Sequence, residues 1–173
     1  MKEFDLIIIG AGRASNLAVS AGKAGKKVAL IEKSTLGGTC PNRGCVPSKL
    51  LLGYAHVANA IKESQRHFID SSINSIDIKK IFEKTNSYIS KIDSIYENKF
   101  NENVQIFKGE GSFISNNIVK VNDEQLTAPK IVIATGTRPI EAPHEKAWTS
   151  DDIFPLLGDI PKSITIVGAG FIA

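Results

Sequence analysis

The sequence lacks long apolar runs and an excess of either charge. Its N-terminal apolar run, Leu6–Ile9, ends in glycine and is too short for a signal-peptide core or a membrane-spanning helix. The 21 basic and 18 acidic residues give a formal net charge of +3 and are scattered without long runs. We therefore expect a soluble cytoplasmic protein that binds neither membranes nor nucleic acid.

Cysteine is also scarce, because Cys40 and Cys45 are the only two in the chain. The cytoplasm keeps thiols reduced, so a lone pair indicates catalysis or metal binding more than a structural framework. A zinc site would need further ligands, and His56, His67 and His144 do not have the spacing of a zinc finger. A redox pair is the favoured interpretation, with a structural disulfide and a zinc site as the alternatives.

The chain opens with a pattern typical of a dinucleotide site. The apolar run in residues 4–10 predicts a buried parallel strand, and Gly10, Gly12 and Ser15 follow in the spacing G-x-G-x-x-S. The first glycine permits a tight turn and the second lets the backbone approach a pyrophosphate. A helix predicted over residues 13–24 would present its N-terminal amides to the phosphate charge.

An acidic residue follows at the expected distance. Gly25 closes the predicted helix, and residues 27–31 predict a second strand. Glu32 comes directly after that strand, 22 positions after Gly10, where a carboxylate can accept hydrogen bonds from a ribose diol. Strand, glycines, helix, strand and acid in register predict a dinucleotide-binding α/β unit.

The spacing of the two cysteines indicates an irregular turn between them. Five residues of regular helix separate two Cα atoms by about 7.5 Å, beyond the usual range of a disulfide. Pro41 and Gly44 lie between the cysteines and favour a distorted turn that brings the sulfurs together. A bridge closing so small a loop would add only about 2 kcal/mol, so reversibility explains it better than stability.

A helix is predicted to begin beside Cys45. Pro47 suits its first turn, which places Cys45 near a helix N-terminus, a position that favours a thiolate. Lys49 lies four residues after Cys45 and would add positive charge on the same face.

The middle of the chain predicts two amphipathic helical stretches and several short strands. A small antiparallel excursion is expected before the chain returns to a buried strand. The predicted helical stretches are residues 50–68 and 78–96, the excursion comprises strands 104–107, 111–114 and 118–121, and the buried strand is 130–134.

The last residues repeat the pattern of the first. Residues 161–173 contain an apolar run followed by Gly168, Gly170 and Ala173, which predicts the first strand and turn of a second dinucleotide fold. We therefore predict one domain over residues 1–147, and over residues 148–173 a crossover and the truncated start of a second domain.

Residues 37–49, GGTCPNRGCVPSK, resemble the redox-active disulfide segment of the class I pyridine nucleotide-disulfide oxidoreductases. The resemblance implies an α/β fold with a Rossmann-like FAD-binding domain, and a second domain for NAD or NADP. It assigns Cys45 to the flavin, Cys40 to disulfide exchange with substrate, and Lys49 to the flavin edge. The implied FAD contacts are Gly10, Ala11, Gly12, Arg13, Ala14, Ser15, Glu32, Lys33, Gly38, Thr39, Lys49, Gly111, Ala134, Thr135 and Gly136, and the implied nicotinamide-dinucleotide contacts are Gly168 and Gly170.

The same resemblance bears on substrate and assembly. Pro47, Ser48 and Lys49 are similar to the dihydrolipoamide dehydrogenase and mercuric reductase branches, whereas glutathione reductases usually carry Pro-Lys-Lys. The implied partner is a small disulfide, a dithiol or a lipoyl group, and the implied parent enzyme is a homodimer. The chain resembles only the first third of such an enzyme, and we expect it to be inactive alone.

Overall fold

A four-stranded parallel sheet forms the centre of the protein. The computed structural model describes residues 1–140, 144–156 and 160–172. The strands of this sheet are β2 (Leu6–Ile9), β3 (Val28–Glu32), β4 (Val104–Lys108) and β8 (Ile131–Ile133), in the order β4-β3-β2-β8. Strands β2 and β3 are apolar at consecutive positions because both faces of the sheet are covered.

A second sheet packs against one face of the first. It contains β1 (Lys2–Glu3), β5 (Gly111–Ser115), β6 (Ile118–Val121) and β7 (Glu124–Thr127), in the order β1-β7-β6-β5. Strands β5, β6 and β7 form an antiparallel meander, and β1 pairs in parallel with β7. The predicted antiparallel excursion is therefore present, although β1 and β7 were not anticipated.

The assignment of residues 104–107 to that excursion is wrong. These residues form β4, which pairs in parallel with β3 from Val104 opposite Val28 to Lys108 opposite Glu32. A short apolar run fixes the existence of a strand, but its partner is chosen by contacts distant in sequence.

The helices lie largely where the apolar periodicity predicts them. The long stretch predicted over residues 78–96 is interrupted, because the chain leaves the helix at Ser90 and Lys91. None of the helices in the described ranges is long and apolar enough to cross a membrane. The helices are α1 (Ser15–Lys23), α2 (Thr39–Arg43), α3 (Cys45–Glu63), α4 (Ile78–Ile89), α5 (Ile92–Glu97) and α6 (Ser150–Ile153), with a 3-10 turn at Ser64–His67.

The core has two layers because successive residues of a strand point to opposite faces of the sheet. Ile7 and Ile9 of β2 pack with the meander, whereas Ile8 packs with α1 on the other face. The meander side contains Phe4, Ala29, Ile31, Phe107, Val119, Val121, Leu126 and Ala128, and the helix side contains Ala11, Ala18, Val28, Leu30, Leu36 and Val104.

The strand predicted at the start of residues 161–173 does not form. The described part of this segment, residues 161–172, has no helix or strand, and Ile164, Ile166 and Val167 are exposed. A strand needs a neighbouring backbone to satisfy its N–H and C=O groups, and this segment pairs with none among the described residues. The predicted third small residue of the turn, Ala173, lies outside the described residues.

The order of the parallel strands marks one edge of the sheet as the place for a ligand. Strand β2 is central, with β3 and β4 on one side and β8 on the other. The chain thus leaves β2 in one direction and returns on the opposite side through β8. In open α/β sheets, ligands bind at the carboxyl ends of the strands where the order reverses in this way, which here is the end of β2 and β8.

Candidate functional site

The first glycine of the predicted nucleotide site lies in a close approach between β2 and β8. Gly10 has φ of +105°, and a Cβ there would collide with the carbonyl group of Ala134 and lie 3.2 Å from the Cα of Thr135. Ala134 N donates to Ile9 O at 2.8 Å, which fixes the two strand ends together. Only glycine fits at position 10, and the structure brings Gly10, Ala134 and Thr135 together.

The turn that precedes the dithiol packs on the nucleotide loop, which we define as residues 10–15. This glycine turn, residues 36–38, contains Gly38 at φ of +71°, where a Cβ would lie 2.7 Å from the Cα of Gly12. Gly37 N also donates to Ala11 O at 2.8 Å. Two segments about 25 residues apart in sequence therefore touch through their backbones at the ligand-binding edge of the sheet.

The acid after β3 anchors the nucleotide loop. Glu32 Oε2 accepts a hydrogen bond from Ala11 N at 2.8 Å, and Oε1 accepts one from Ser34 N at 2.8 Å. A carboxylate has about four acceptor positions, so two remain for further donors such as a ribose diol. Ser15 Oγ donates to Ala11 O at 2.7 Å, which satisfies the buried hydroxyl at the third position of the glycine motif.

Replacement of Glu32 should loosen this loop. We expect Glu32→Ala to destabilise the protein by about 2 kcal/mol, because a buried N–H at Ala11 loses its charged acceptor. The midpoint of thermal unfolding measures the effect. Glu110→Ala is the matched control, since that nearby carboxylate forms only an exposed pair with Lys33 at 3.6 Å and should change stability by less than about 0.5 kcal/mol. Equal effects of both changes would contradict the anchoring role.

The dithiol segment, residues 39–45, is a helix broken at a glycine. Helix α2 ends at Arg43 and α3 begins at Cys45, with Gly44 between them. A Cβ on Gly44 would lie 3.6 Å from the Cα of Cys40, so the chain folds closely over the first cysteine. The predicted irregular turn is therefore present.

Both cysteines are accessible at this break. Cys40 and Cys45 are free thiols and exposed, and α3 begins at Cys45 as the sequence predicts. No cluster of three or more His, Cys, Asp or Glu side chains that could hold a metal occurs among the residues that the structure describes. The pair is therefore placed to react with a partner that reaches it from solvent.

Neighbouring groups shift the pKa of the Cys40 thiol. Hydrogen bonding to the side chain of Cys45 raises the pKa of Cys40, and partial burial and the charge of Cys45 raise it further. The Lys49 ammonium acts in the opposite direction and lowers the pKa of Cys40. Cys40 therefore keeps its proton to higher pH than an ordinary cysteine does.

Two substitutions should move the pKa of Cys40 in opposite directions. Cys45→Ala removes the main cause of the increase, so the pKa of Cys40 should fall. Lys49→Met removes a nearby positive charge, so the pKa of Cys40 should rise. The pH dependence of iodoacetamide labelling at Cys40 in the reduced protein measures both shifts. Shifts of the same sign would contradict this description of the pair.

The other residues predicted to contact the cofactor are exposed or half-buried. Gly111 begins β5, and a Cβ there would lie 3.3 Å from side-chain carbons of both Ile9 and Ile31, at the ends of β2 and β3. Lys33 is exposed beside Glu110. Arg13, Thr39, Lys49, Thr135 and Gly136 are exposed, and Ala14 is half-buried.

Gly168 and Gly170 were predicted to contact a nicotinamide dinucleotide in a second domain, not at this site. A Cβ on either would meet no atom within 4 Å, and both lie in the segment without a strand. Their part in nicotinamide-dinucleotide binding stays a prediction.

Three side chains hold the site in place without having been predicted to do so. Asn42 Nδ2 donates to Leu36 O and Gly38 O, and Asp93 Oδ1 accepts from Leu36 N. Arg43 donates to Ser34 Oγ at 3.1 Å and pairs with Asp151 of α6 at 3.6 Å. The sequence signal for the contacts of Asn42 and Arg43 is their position between the two cysteines. No motif near Asp93 indicates that it contacts the site.

The fold and the site define a class of protein. The nucleotide loop lies where the strand order of the parallel sheet reverses, and an acid follows the second strand of that sheet. An exposed dithiol lies beside the loop. These features are those of a dinucleotide-binding protein with a reactive cysteine pair. Residues 4–173 match the pyridine nucleotide-disulphide oxidoreductase family. The chain therefore belongs to this family.

Individual relatives agree with the family match. The chain is 36% identical over 179 residues to a dihydrolipoyl dehydrogenase of Geobacillus stearothermophilus, covering 98% of the chain and 38% of the relative. It is 33% identical over 176 residues to a mercuric reductase of Lysinibacillus sphaericus, covering 98% and 32%. The chain thus spans about a third of the length of these relatives.

A solved structure has a similar fold. It is the Cu(II) complex of an HOCl-induced flavoprotein disulfide reductase, RclA, from Escherichia coli. The TM-score is 0.65 at 29% identity, over 83% of this chain and 31% of that one. The likeness confirms the predicted α/β fold with a parallel sheet and helices.

Proposed function

We propose that this chain is the FAD-binding and dithiol-bearing part of an oxidoreductase that moves electrons between NAD(P)H and a disulfide or dithiol substrate. The observation that carries the proposal is the contact of Gly38 with Gly12, which packs the glycine turn immediately before the dithiol segment on the nucleotide loop. A structural cysteine pair would need no such contact with a cofactor loop.

The residues at the edge of the sheet fit an FAD molecule. The nucleotide loop lies at the carboxyl end of β2, and α1 begins directly behind it at Ser15, so the N-terminal amides of α1 can interact with a pyrophosphate. Glu32 keeps free acceptor positions for the adenosine ribose. When bound there, FAD supplies a two-electron carrier between a nicotinamide and the cysteine pair.

The two cysteines then divide the substrate chemistry. The thiolate of Cys40 attacks one sulfur of a substrate disulfide and forms a mixed disulfide, while the other substrate sulfur leaves and takes up a proton. The sulfur of Cys45 next attacks Cys40, which releases the second substrate thiol and leaves the Cys40–Cys45 disulfide. The reverse sequence oxidises a dithiol substrate. Free, exposed and adjacent thiols suit this exchange.

The remaining assignments follow from the same family membership. Lys49 would lie at the flavin edge, and Gly168 and Gly170 would contact a nicotinamide dinucleotide in a second domain. We place the full enzyme in the cytoplasm as a homodimer, with this chain inactive alone. The coverage of about a third of each relative supports a longer parent protein.

Dihydrolipoyl dehydrogenase is the activity that we favour within the family. The supporting features are the 36% identity and the Pro47, Ser48 and Lys49 sequence. Mercuric reductase is the second candidate, because relatives with that name are 33% and 31% identical. Reduction of glutathione or another small disulfide, and an FAD-binding protein whose cysteines are merely structural, are further alternatives.

Turnover by the full-length protein separates these candidates. NAD(H)- and NADP(H)-dependent rates should be measured with dihydrolipoamide, glutathione disulfide and Hg(II) at matched concentrations. We expect the highest kcat/KM with dihydrolipoamide and NAD. A higher kcat/KM with Hg(II) or glutathione disulfide would replace that assignment, and no turnover of any of the three would contradict the proposed function.

A further inference from the structure

Asn42 lies between the two cysteines in sequence, and its side chain is buried. It is 4% exposed, although most asparagine side chains lie at protein surfaces. Its Nδ2 donates two hydrogen bonds, to Leu36 O and to Gly38 O, both at 2.8 Å. Both acceptors belong to the glycine turn, so Asn42 joins α2 to that turn.

The glycine turn is itself fixed from two other directions. Asp93 Oδ1 of α5 accepts from Leu36 N at 2.6 Å, and Asp93 Oδ2 pairs with Lys108 at the end of β4. On the opposite side, Gly37 N donates to Ala11 O in the nucleotide loop. The turn is therefore a rigid support that connects the parallel sheet to the dithiol segment.

The two cysteines are attached to this support differently. Cys45 begins α3, a helix of 19 residues that packs against α4. Cys40 lies on α2, which has only five residues and is separated from α3 by Gly44. Because α2 is short, the position of Cys40 depends on the contacts that the side chains of α2 make. Pro41 and Asn42 are its buried residues, and Asn42 makes its buried side-chain hydrogen bonds.

We propose that Asn42 is a positioning residue for the dithiol, whose two hydrogen bonds hold Cys40 against Cys45 and so favour formation of the disulfide. This inference rests on the proposed function, in which the pair cycles between dithiol and disulfide. The physical reason is effective concentration, because two groups held in place react with each other more favourably than two groups on a loose chain.

Exchange with glutathione makes the positioning measurable. The thiols of Cys40 and Cys45 lose two electrons and two protons to glutathione disulfide, and the products are the Cys40–Cys45 disulfide and two molecules of glutathione. A loose α2 lowers the equilibrium constant of this reaction, which corresponds to a higher reduction potential of the pair.

The test compares Asn42→Ala with wild type in the full-length protein. Samples are equilibrated at several ratios of reduced to oxidised glutathione, quenched with acid and alkylated, and the oxidised fraction is read by mass spectrometry. We expect the equilibrium constant to fall about tenfold in Asn42→Ala, equal to a potential about 30 mV higher. Asn42→Ser keeps a hydroxyl donor and should lie between the two, and it serves as the test if the alanine variant does not fold.

Asn103→Ala is the matched control. Asn103 Nδ2 also donates to a distant backbone carbonyl, Gly22 O at 3.0 Å, and it is partly buried. That variant should lose stability and keep the wild-type potential. Equal shifts in the Asn42 and Asn103 variants, or none in either Asn42 variant, would overturn the positioning role. A wild-type protein that forms no Cys40–Cys45 disulfide at any ratio would instead contradict the proposed function.

Discussion

Gly10→Ala should remove flavin binding and destabilise the protein by about 2–5 kcal/mol. Alanine at φ of +105° costs about 1–2 kcal/mol, and its Cβ would collide with the backbone carbonyl of Ala134. That carbonyl belongs to the segment joined to β2 by the hydrogen bond from Ala134 N to Ile9 O, so relief requires β2 and β8 to separate. Overpacking against a fixed backbone adds about 1–3 kcal/mol. Flavin content after gel filtration and the thermal midpoint of the full-length protein measure the effect.

Gly25→Ala is the control that separates the cost of the Cβ collision in Gly10→Ala from the cost of placing alanine at a positive φ. Gly25 also has a positive φ, +75°, but a Cβ there would meet no atom within 4 Å. We expect it to cost only about 1 kcal/mol and to leave the flavin bound. Flavin retained at the wild-type level in Gly10→Ala would show that the close approach of β2 and β8 does not form the nucleotide site.

Cys45→Ser should abolish turnover of disulfide and dithiol substrates by the full-length enzyme, by at least about a thousandfold. Serine cannot close a disulfide with Cys40, so a mixed disulfide with substrate would have no second thiol to resolve it. Steady-state rates with dihydrolipoamide or the best substrate found measure the loss. Oxidation of NADH by ferricyanide is the internal control, because an outer-sphere acceptor takes electrons without the cysteine pair.

Retention of ferricyanide reduction in Cys45→Ser would confirm that the nucleotide and flavin sites are intact. Substrate turnover within tenfold of wild type in the same variant would show that the pair does not take part in the reaction. Loss of both activities, with loss of flavin, would assign Cys45 a structural role instead.

The unit formed by β2, α1 and β3 could be predicted from the sequence because its signals are local. The apolar run of β2, the glycines after it, the helix α1 and Glu32 follow one another within about 30 residues, and each has a short-range physical reason. The placement of β4 and of β1 could not be predicted in this way. Each is a short run whose partner lies far away in sequence, at Val28–Glu32 for β4 and at Leu126–Thr127 for β1.

The same distinction applies to the site. The irregular turn at Gly44 follows from the spacing of Cys40 and Cys45. The contacts that fix the glycine turn could not be predicted in this way, because Asp93 accepts a hydrogen bond from Leu36, which lies 57 residues away in sequence. The strand predicted after residue 161 has a strong local pattern but does not form. A strand requires a pairing partner, and the described residues do not supply one.

The most direct test of the central claim is the redox state of the cysteine pair when nicotinamide is supplied. The full-length protein, isolated in air, is treated anaerobically with one equivalent of NADH or NADPH, alkylated, and the peptide containing residues 37–49 is weighed by mass spectrometry. The account predicts an unlabelled peptide, two mass units lighter than the dithiol, before reduction, and labels on both Cys40 and Cys45 afterwards. A peptide that carries the same labels before and after reduction would contradict it.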